Sequence, residues 1–180
     1  MIHTGLPHRQ VSTVSDTQPP AGFLPDGIHD SVRPGTALVR LETTHDREGV
    51  FDGAWWPRSR AVADEMPRLI SALTKHLGPI TRVGVDSAAW DGLPPRLVVD
   101  GRVVRIDGSS TGDDTVLITR GDHDLFSLLV VPPDTPPHAA RAAMTQAVRA
   151  DNLKGAARIL VDTGADPVSR PYGGEDATQA

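Results

Sequence analysis

The stretch "RLVVDGRVVRID", residues 96–107, constrains this chain more than any other. Asp100-Gly101 stands between two β-branched runs. A two-residue loop of that composition closes a hairpin through a type I′ turn, which needs positive φ at both central positions. Further strand-like runs follow at turn-length gaps. "ITRVGVD" (80–86) sets Thr81, Val83 and Val85 on one face, and "TVLITR" (115–120) and "LFSLLVV" (125–131) are joined by "GDHD". "LFSLLVV" is apolar on both faces, which places it inside a sheet rather than at its edge. Strands in succession, not alternating with helices, favour an α+β domain over a doubly wound nucleotide binder.

The flanking segments complete the pattern. "TALVRLET" (36–43) alternates as a strand, and "VFDGAWW" (50–56) is its expected hairpin partner across "THDREG". Ser59 is a candidate helix N-cap. Pro67 removes one backbone donor, so a short first turn at 60–65 and a main helix at 66–77 are expected. Met66, Leu69, Ile70, Leu73 and Leu77 give that helix one apolar stripe, and Gly78-Pro79 stops it. In "PPDTPP" (132–137), Asp134 or Thr135 caps a helix with Pro136 at its first position, running to about Val148. A last helix over 152–163 ends at Gly164. The expected order is ββαβββββαα: a mainly antiparallel sheet of six to seven strands with two or three helices on one face. Residues 35–164 form the single domain, between an expected disordered arm (1–34) and an expected disordered tail (165–180).

Composition removes several classes of function. The net charge is −5, with 19 Asp and 4 Glu spread along the chain, which argues against a general nucleic-acid binder. No cysteine is present, so disulfides and thiolate chemistry are excluded. No apolar run approaches the roughly 18 residues of a membrane span. The first residues lack a basic segment followed by an apolar one, so a cytoplasmic location is expected.

Two of the three tryptophans are adjacent, in "FDGAWWPRSR" (51–60). Side chains alternate across a strand, so Phe51, Gly53 and Trp55 are expected to share the core face and Trp56 to lie on an open face beside Arg58. Exposed Trp with Arg is the composition of an interaction hot spot. The alternative is a sheet covered on both faces, with both rings in the core. Trp90, in "SAAWDGLPP", is expected as a plug at the corner where a strand leaves the sheet.

Motifs that carry chemistry are sparse. Asp122, His123 and Asp124 are the nearest approach to a metal cluster, but they occupy a hairpin tip where Asp and Gly are turn residues, so no metal site and no cofactor are expected. There is no G-x-S-x-G elbow and no phosphate-binding glycine loop. Asp52, Asp86 and Asp107 stand at strand ends, where acids serve catalysis or cap turns.

The segments "DGAWWPRSR", "ITRVGVDSAAWD", "GRVVRI" and "LLVVPPDTPP", in this order and at these spacings, resemble the family known as domain of unknown function 5994, over roughly residues 34–150. The resemblance implies a small cytoplasmic actinobacterial protein and carries no activity. Three functions remain in view. The favoured one is a non-catalytic module holding an unidentified protein or small-molecule partner through Trp56, Arg58 and Arg60. The alternative is an enzyme using Asp52 and Asp86 with an Arg58 or Arg82 anion clamp. Single-stranded nucleic-acid stacking on Trp56 is disfavoured by the charge.

Overall fold

The computed structural model describes residues 32–40, 49–109 and 113–166. Seven strands and three α-helices occur in the expected order: β1 (Thr36–Val39), β2 (Gly53–Trp56), α1 (Val62–Leu77), β3 (Ile80–Asp86), β4 (Arg96–Val99), β5 (Arg102–Ser109), β6 (Thr115–Arg120), β7 (Asp124–Val130), α2 (Pro137–Ala147) and α3 (Ala156–Thr163). The fold is α+β. Residues 44–48 of the expected turn, 1–31 of the expected N-terminal arm and 167–180 of the expected tail lie outside the described residues. Val32 and Ala165, at the inner ends of those arms, are buried.

All strands join one curled sheet in the order β1-β2-β7-β6-β3-β5-β4. Three hairpins form as local chemistry dictates: β1 with β2, β4 with β5, and β6 with β7. In the β4–β5 turn Asp100 and Gly101 both have positive φ, 50° and 76°, as a type I′ turn demands. The sheet is mixed, however, and this corrects the mainly antiparallel expectation. β2 runs parallel to β7, and β3 runs parallel to β5. The cause lies in the connections. The helix α1 carries the chain from β2 across to β3, and residues 87–95 are long enough to let β5, not β4, settle beside β3.

The helices do not all pack on one face, which is a second correction. The α1 stripe of Val62, Met66, Leu69, Ile70, Leu73 and Leu77 packs against Trp55, Val83, Val85, Val104, Ile118 and Leu128. On the opposite face Ala139, Ala140, Ala143 and Met144 of α2, with Ile159 and Leu160 of α3, cover Leu38, Ala54, Trp56 and Leu129. That second layer lies over β1, β2 and β7. Around β4, β5, β3 and β6 the outer face stays open, with Val98, Val103 and Leu117 exposed.

The start of α1 also differs from expectation. It is one continuous helix from Val62, with Ala61 rather than Ser59 in the N-cap position and Pro67 inside it. Ser59 sits just outside, where its Oγ accepts from the Ala61 N–H (3.3 Å) and donates to Glu65 Oε1 (3.3 Å). The buried Glu65 carboxylate also accepts from the Arg58 N–H (3.2 Å). An acid in the first helical turn is favoured by the helix dipole. It ties the "PRSR" segment to the helix it introduces.

Trp55 and Trp56 lie on opposite faces, as an extended strand requires, but both are buried, at 2% and 1% exposure. The open-face position expected for Trp56 is therefore corrected: α2 covers that ring. Phe51 joins Trp56 rather than Trp55, because the backbone bends at Asp52 before β2 begins and the alternation does not extend that far. Two consequences can be measured. Native-state fluorescence should resist acrylamide quenching at all three indoles, rising to unfolded-chain values only across the denaturation transition. Trp56→Ala should cost about 3–5 kcal/mol in equilibrium unfolding. Efficient quenching of the native protein would contradict the two-sided burial.

Candidate functional site

β2, β7, β3 and β5 run in one direction, and β1, β6 and β4 in the other. At the carboxyl ends of β2, β3 and β7 the chain leaves the sheet by three turns. There a hollow of about 250 Å³ opens, walled by Pro57, Ala88, Ala89, Trp90, Pro132 and Pro133. Its polar groups are Ser59, Arg60, Asp86, Asp114 and Asp166. In open sheets of aligned strands, the crevice beyond the carboxyl ends is the usual place for a ligand.

Each polar group is positioned by local structure. Asp86 ends β3 and caps the short turn of 3₁₀ helix at Ser87–Ala89, its Oδ1 accepting from the Ala88 N–H at 3.1 Å. Asp114 has φ 46°, in the left-handed region that Asp tolerates better than most residues. Its carbonyl accepts from the Val130 N–H at 2.7 Å, so the turn into β6 is pinned to β7. Asp166 follows the C-cap of α3. Gly164 takes the left-handed conformation there (φ 71°), and the Ala165 and Asp166 N–H groups both donate to the Leu160 carbonyl. Arg60 donates to the Ala89 carbonyl (3.2 Å), across the bridge that joins Ala61 to Asp91.

The tryptophans frame this hollow without lying open to solvent. Trp55 stacks on Trp90, with ring centroids 5.2 Å apart and planes 16° apart. Trp90 closes the corner after β3, as expected of it, and lines the wall. Trp56 Nε1 donates to the Pro133 carbonyl at 3.3 Å, fixing the opposite wall.

The carboxylates act on one another. Burial is the main cause that raises the Asp114 carboxyl above its ordinary 3.8. The negative charges of Asp86, Asp166 and Asp113 add to that shift, and Arg60 opposes it. Among the described residues no group of three or more His, Cys, Asp or Glu has the geometry to hold a metal ion. No helix among them is long and apolar enough to cross a membrane.

Of the residues singled out from the sequence, the fold brings Arg60 and Asp86 together here. Trp56 supports the wall from behind. Arg58 is exposed outside the hollow, where its Nε donates to the Pro34 carbonyl at 3.1 Å. Asp52 stands before β2, at the other end of the strand, and its Oδ2 accepts from the Ser127 N–H at 2.8 Å. Asp114 and Asp166 were not expected. Each is a lone Asp in a turn, and the chain holds many such Asp residues.

A small acidic hollow at the ends of aligned strands, in an α+β domain with helices on both faces, is what the fold defines. The chain belongs to the Family of unknown function (DUF5994), whose model matches residues 38–147. That span carries Arg60, Asp86, Trp90 and Asp114, and stops before α3 and Asp166. No curated protein matches the chain. No solved structure matches it either.

The Asp114 shift has a sign that can be tested. Its folded-state value lies above 3.8, so its ionisation costs the folded protein more than the unfolded chain. The penalty is fully present at neutral pH and disappears as pH falls through the raised value towards 3.8. Asn cannot ionise and tolerates the same backbone conformation. Asp114→Asn should therefore be more stable than the wild type at pH 7, and the two denaturation curves should converge below about pH 4. A difference that stays constant with pH would show that burial and neighbouring charge do not act on this carboxyl.

Proposed function

We propose that the hollow at the carboxyl ends of β2, β3 and β7 binds a small molecule with both a cationic and an anionic group, an amino-acid-like zwitterion in chemical class. The observation that carries this reading is the convergence of Asp86, Asp114 and Asp166 on one cavity that also holds Arg60. Asp86 and Asp114 alone outnumber the single guanidinium, and that excess of negative charge is what an ammonium or amidinium group would neutralise. Arg60 offers a planar donor pair to the carboxylate or phosphate at the ligand's other end. The volume, about 250 Å³, falls just below the usual range for drug-sized ligands and excludes a dinucleotide. Stacked Trp90 and the proline walls would hold the ligand's carbon frame.

Asp114 gives specific support to a catalytic alternative. A carboxyl whose protonated form is favoured by burial can donate a proton to a bound substrate, and Asp86 lines the same hollow. This is the enzyme reading built on strand-end acids and an arginine, with Arg60 in the place expected of Arg58 or Arg82.

A thermal-shift screen of small amines, zwitterions and anions tests the proposal. A zwitterion present at a hundredfold over its dissociation constant should raise Tm by about 5–10 °C. Asp86→Asn keeps the turn cap and removes one charge, and Arg60→Gln removes the guanidinium. Each should abolish most of that rise. Stabilisation by simple anions alone, or shifts that survive both substitutions, would reject the zwitterion site. Conversion of the stabilising ligand during prolonged incubation, followed by NMR and lost in Asp114→Asn, would select the catalytic alternative.

A further inference from the structure

The open half of the sheet carries an arrangement that folding alone does not favour. Arg96 on β4 is the register partner of Arg105 on β5, and Arg105 is the partner of Arg82 on β3. Alternation sets all three on the face opposite α1, because Val83, Val104 and Ile106 beside them point into the α1 core. Neighbouring strands are about 4.8 Å apart, and like charges directly opposite one another destabilise a sheet. Arg82 is paired with Asp107 at 3.2 Å, and Asp122 borders the hollow formed by Thr81, Arg82, Arg105 and Thr119. Among the described residues, no ion pair involves Arg96 or Arg105. Apolar groups flank the row: Val98 and Val103, register partners exposed at 70% and 59%, on one side, and Leu117 on the other.

We propose that this face docks an acidic segment of a partner protein. Its carboxylates would lie along the Arg96–Arg105–Arg82 row and its apolar side chains on Val98, Val103 and Leu117. Charge complementarity identifies the occupant's sign: beside the Arg82–Asp107 pair, Arg96 and Arg105 stand in register with no ion pair among the described residues, on a chain whose net charge is −5. The apolar flanks identify a polypeptide rather than a phosphate backbone. Phe51, Trp55, Trp56, Trp90 and Phe126 are all buried, so no Phe or Trp ring among the described residues is exposed for a base to stack on. The surface shares no residue with the hollow at the strand ends and is independent of it.

Fluorescence anisotropy with a labelled twelve-residue peptide of alternating Glu and Val tests the inference. The peptide should bind at low salt and weaken as salt rises. The same peptide with Gln for Glu should bind at least about tenfold more weakly, and so should the Glu peptide to the Arg96→Gln/Arg105→Gln double variant. Both sites are exposed strand positions, and without ligand Arg105→Gln should raise Tm by about 1–3 °C as the like-charge contact is relieved. Four results would overturn the proposal: no peptide binding, binding that survives the double variant, tighter binding of a twelve-nucleotide single-stranded DNA at the same salt, or a fall in Tm for Arg105→Gln. Sedimentation showing a wild-type dimer that Arg105→Gln dissociates would likewise overturn it, by assigning the face to a second copy of the chain.

Discussion

Two indoles on consecutive residues of an extended strand cannot share a face, and nearly everything else in this fold follows from burying both. A buried aromatic removes roughly 150–250 Å² from water, so each ring contributes several kcal/mol of gross burial at about 25 cal/mol/Å². To leave either ring in solvent would forfeit a large part of a domain's net stability, typically 5–15 kcal/mol. The chain therefore needs cover on both sides of β2. The helix α1, which leads directly out of β2, supplies one cover. Only α2 and α3 remain for the other, and they return from the far end of the sequence because β7 pairs with β2 and delivers them there.

The same pair shapes the hollow. Trp55 reaches it through the stack with Trp90, and Trp56 through the bond to the Pro133 carbonyl. Pro57, Ser59 and Arg60 then line it directly. One run of six residues thus braces two walls and supplies the cation. The acids come from three separate places: the end of β3, the turn before β6 and the turn after α3. Loops that would otherwise drift are tied down by short backbone bonds, from Val130 to Asp114 and from Asp91 to Arg60. Pre-organised charges of this kind cost a ligand little ordering entropy on binding.

Local chemistry was legible in the residues, and long-range pairing was not. The Asp100-Gly101 turn, the stripe from Met66 to Leu77 and the Gly164 stop each announce themselves within a few positions, and the order of all ten elements follows from signals of that kind. Parallel pairing of β2 with β7 leaves no local mark, because it is decided by where α1 and the loops carry the chain. The cover over Trp56 was hidden for a different reason. The buried face of α2 is mostly alanine, at 139, 140, 143 and 147, and small side chains raise little apolar contrast against the rest of that helix. Alanine is also why the cover fits: it lets the helix approach the sheet closely enough to seal a large indole lying between them. Of the site, Asp86 carried a strand-end signal and Arg60 was singled out as a neighbour of Trp56, whereas Asp114 and Asp166 looked like any other turn residue.

Charge is sorted across the molecule in a way its total conceals. Acids gather in a partly buried hollow at one end of the aligned strands, and arginines line the open face of the outer half-sheet. The two environments reward binding differently. Inside the hollow, low dielectric strengthens each charge contact, so one or two well-placed groups suffice. On the open face each ion pair lies in water, is screened within about 8 Å at physiological salt and contributes at most about 1 kcal/mol. A partner there gains affinity only by making several contacts at once and by covering Val98, Val103 and Leu117. The layer that α2 and α3 leave incomplete is what makes that second kind of contact possible. Extending that layer over β3, β5 and β4 would bury Arg82, Arg96 and Arg105 with Asp107 as the one ion-pair partner among them, so the same residues that oppose a cover on this half of the sheet also define what can approach it.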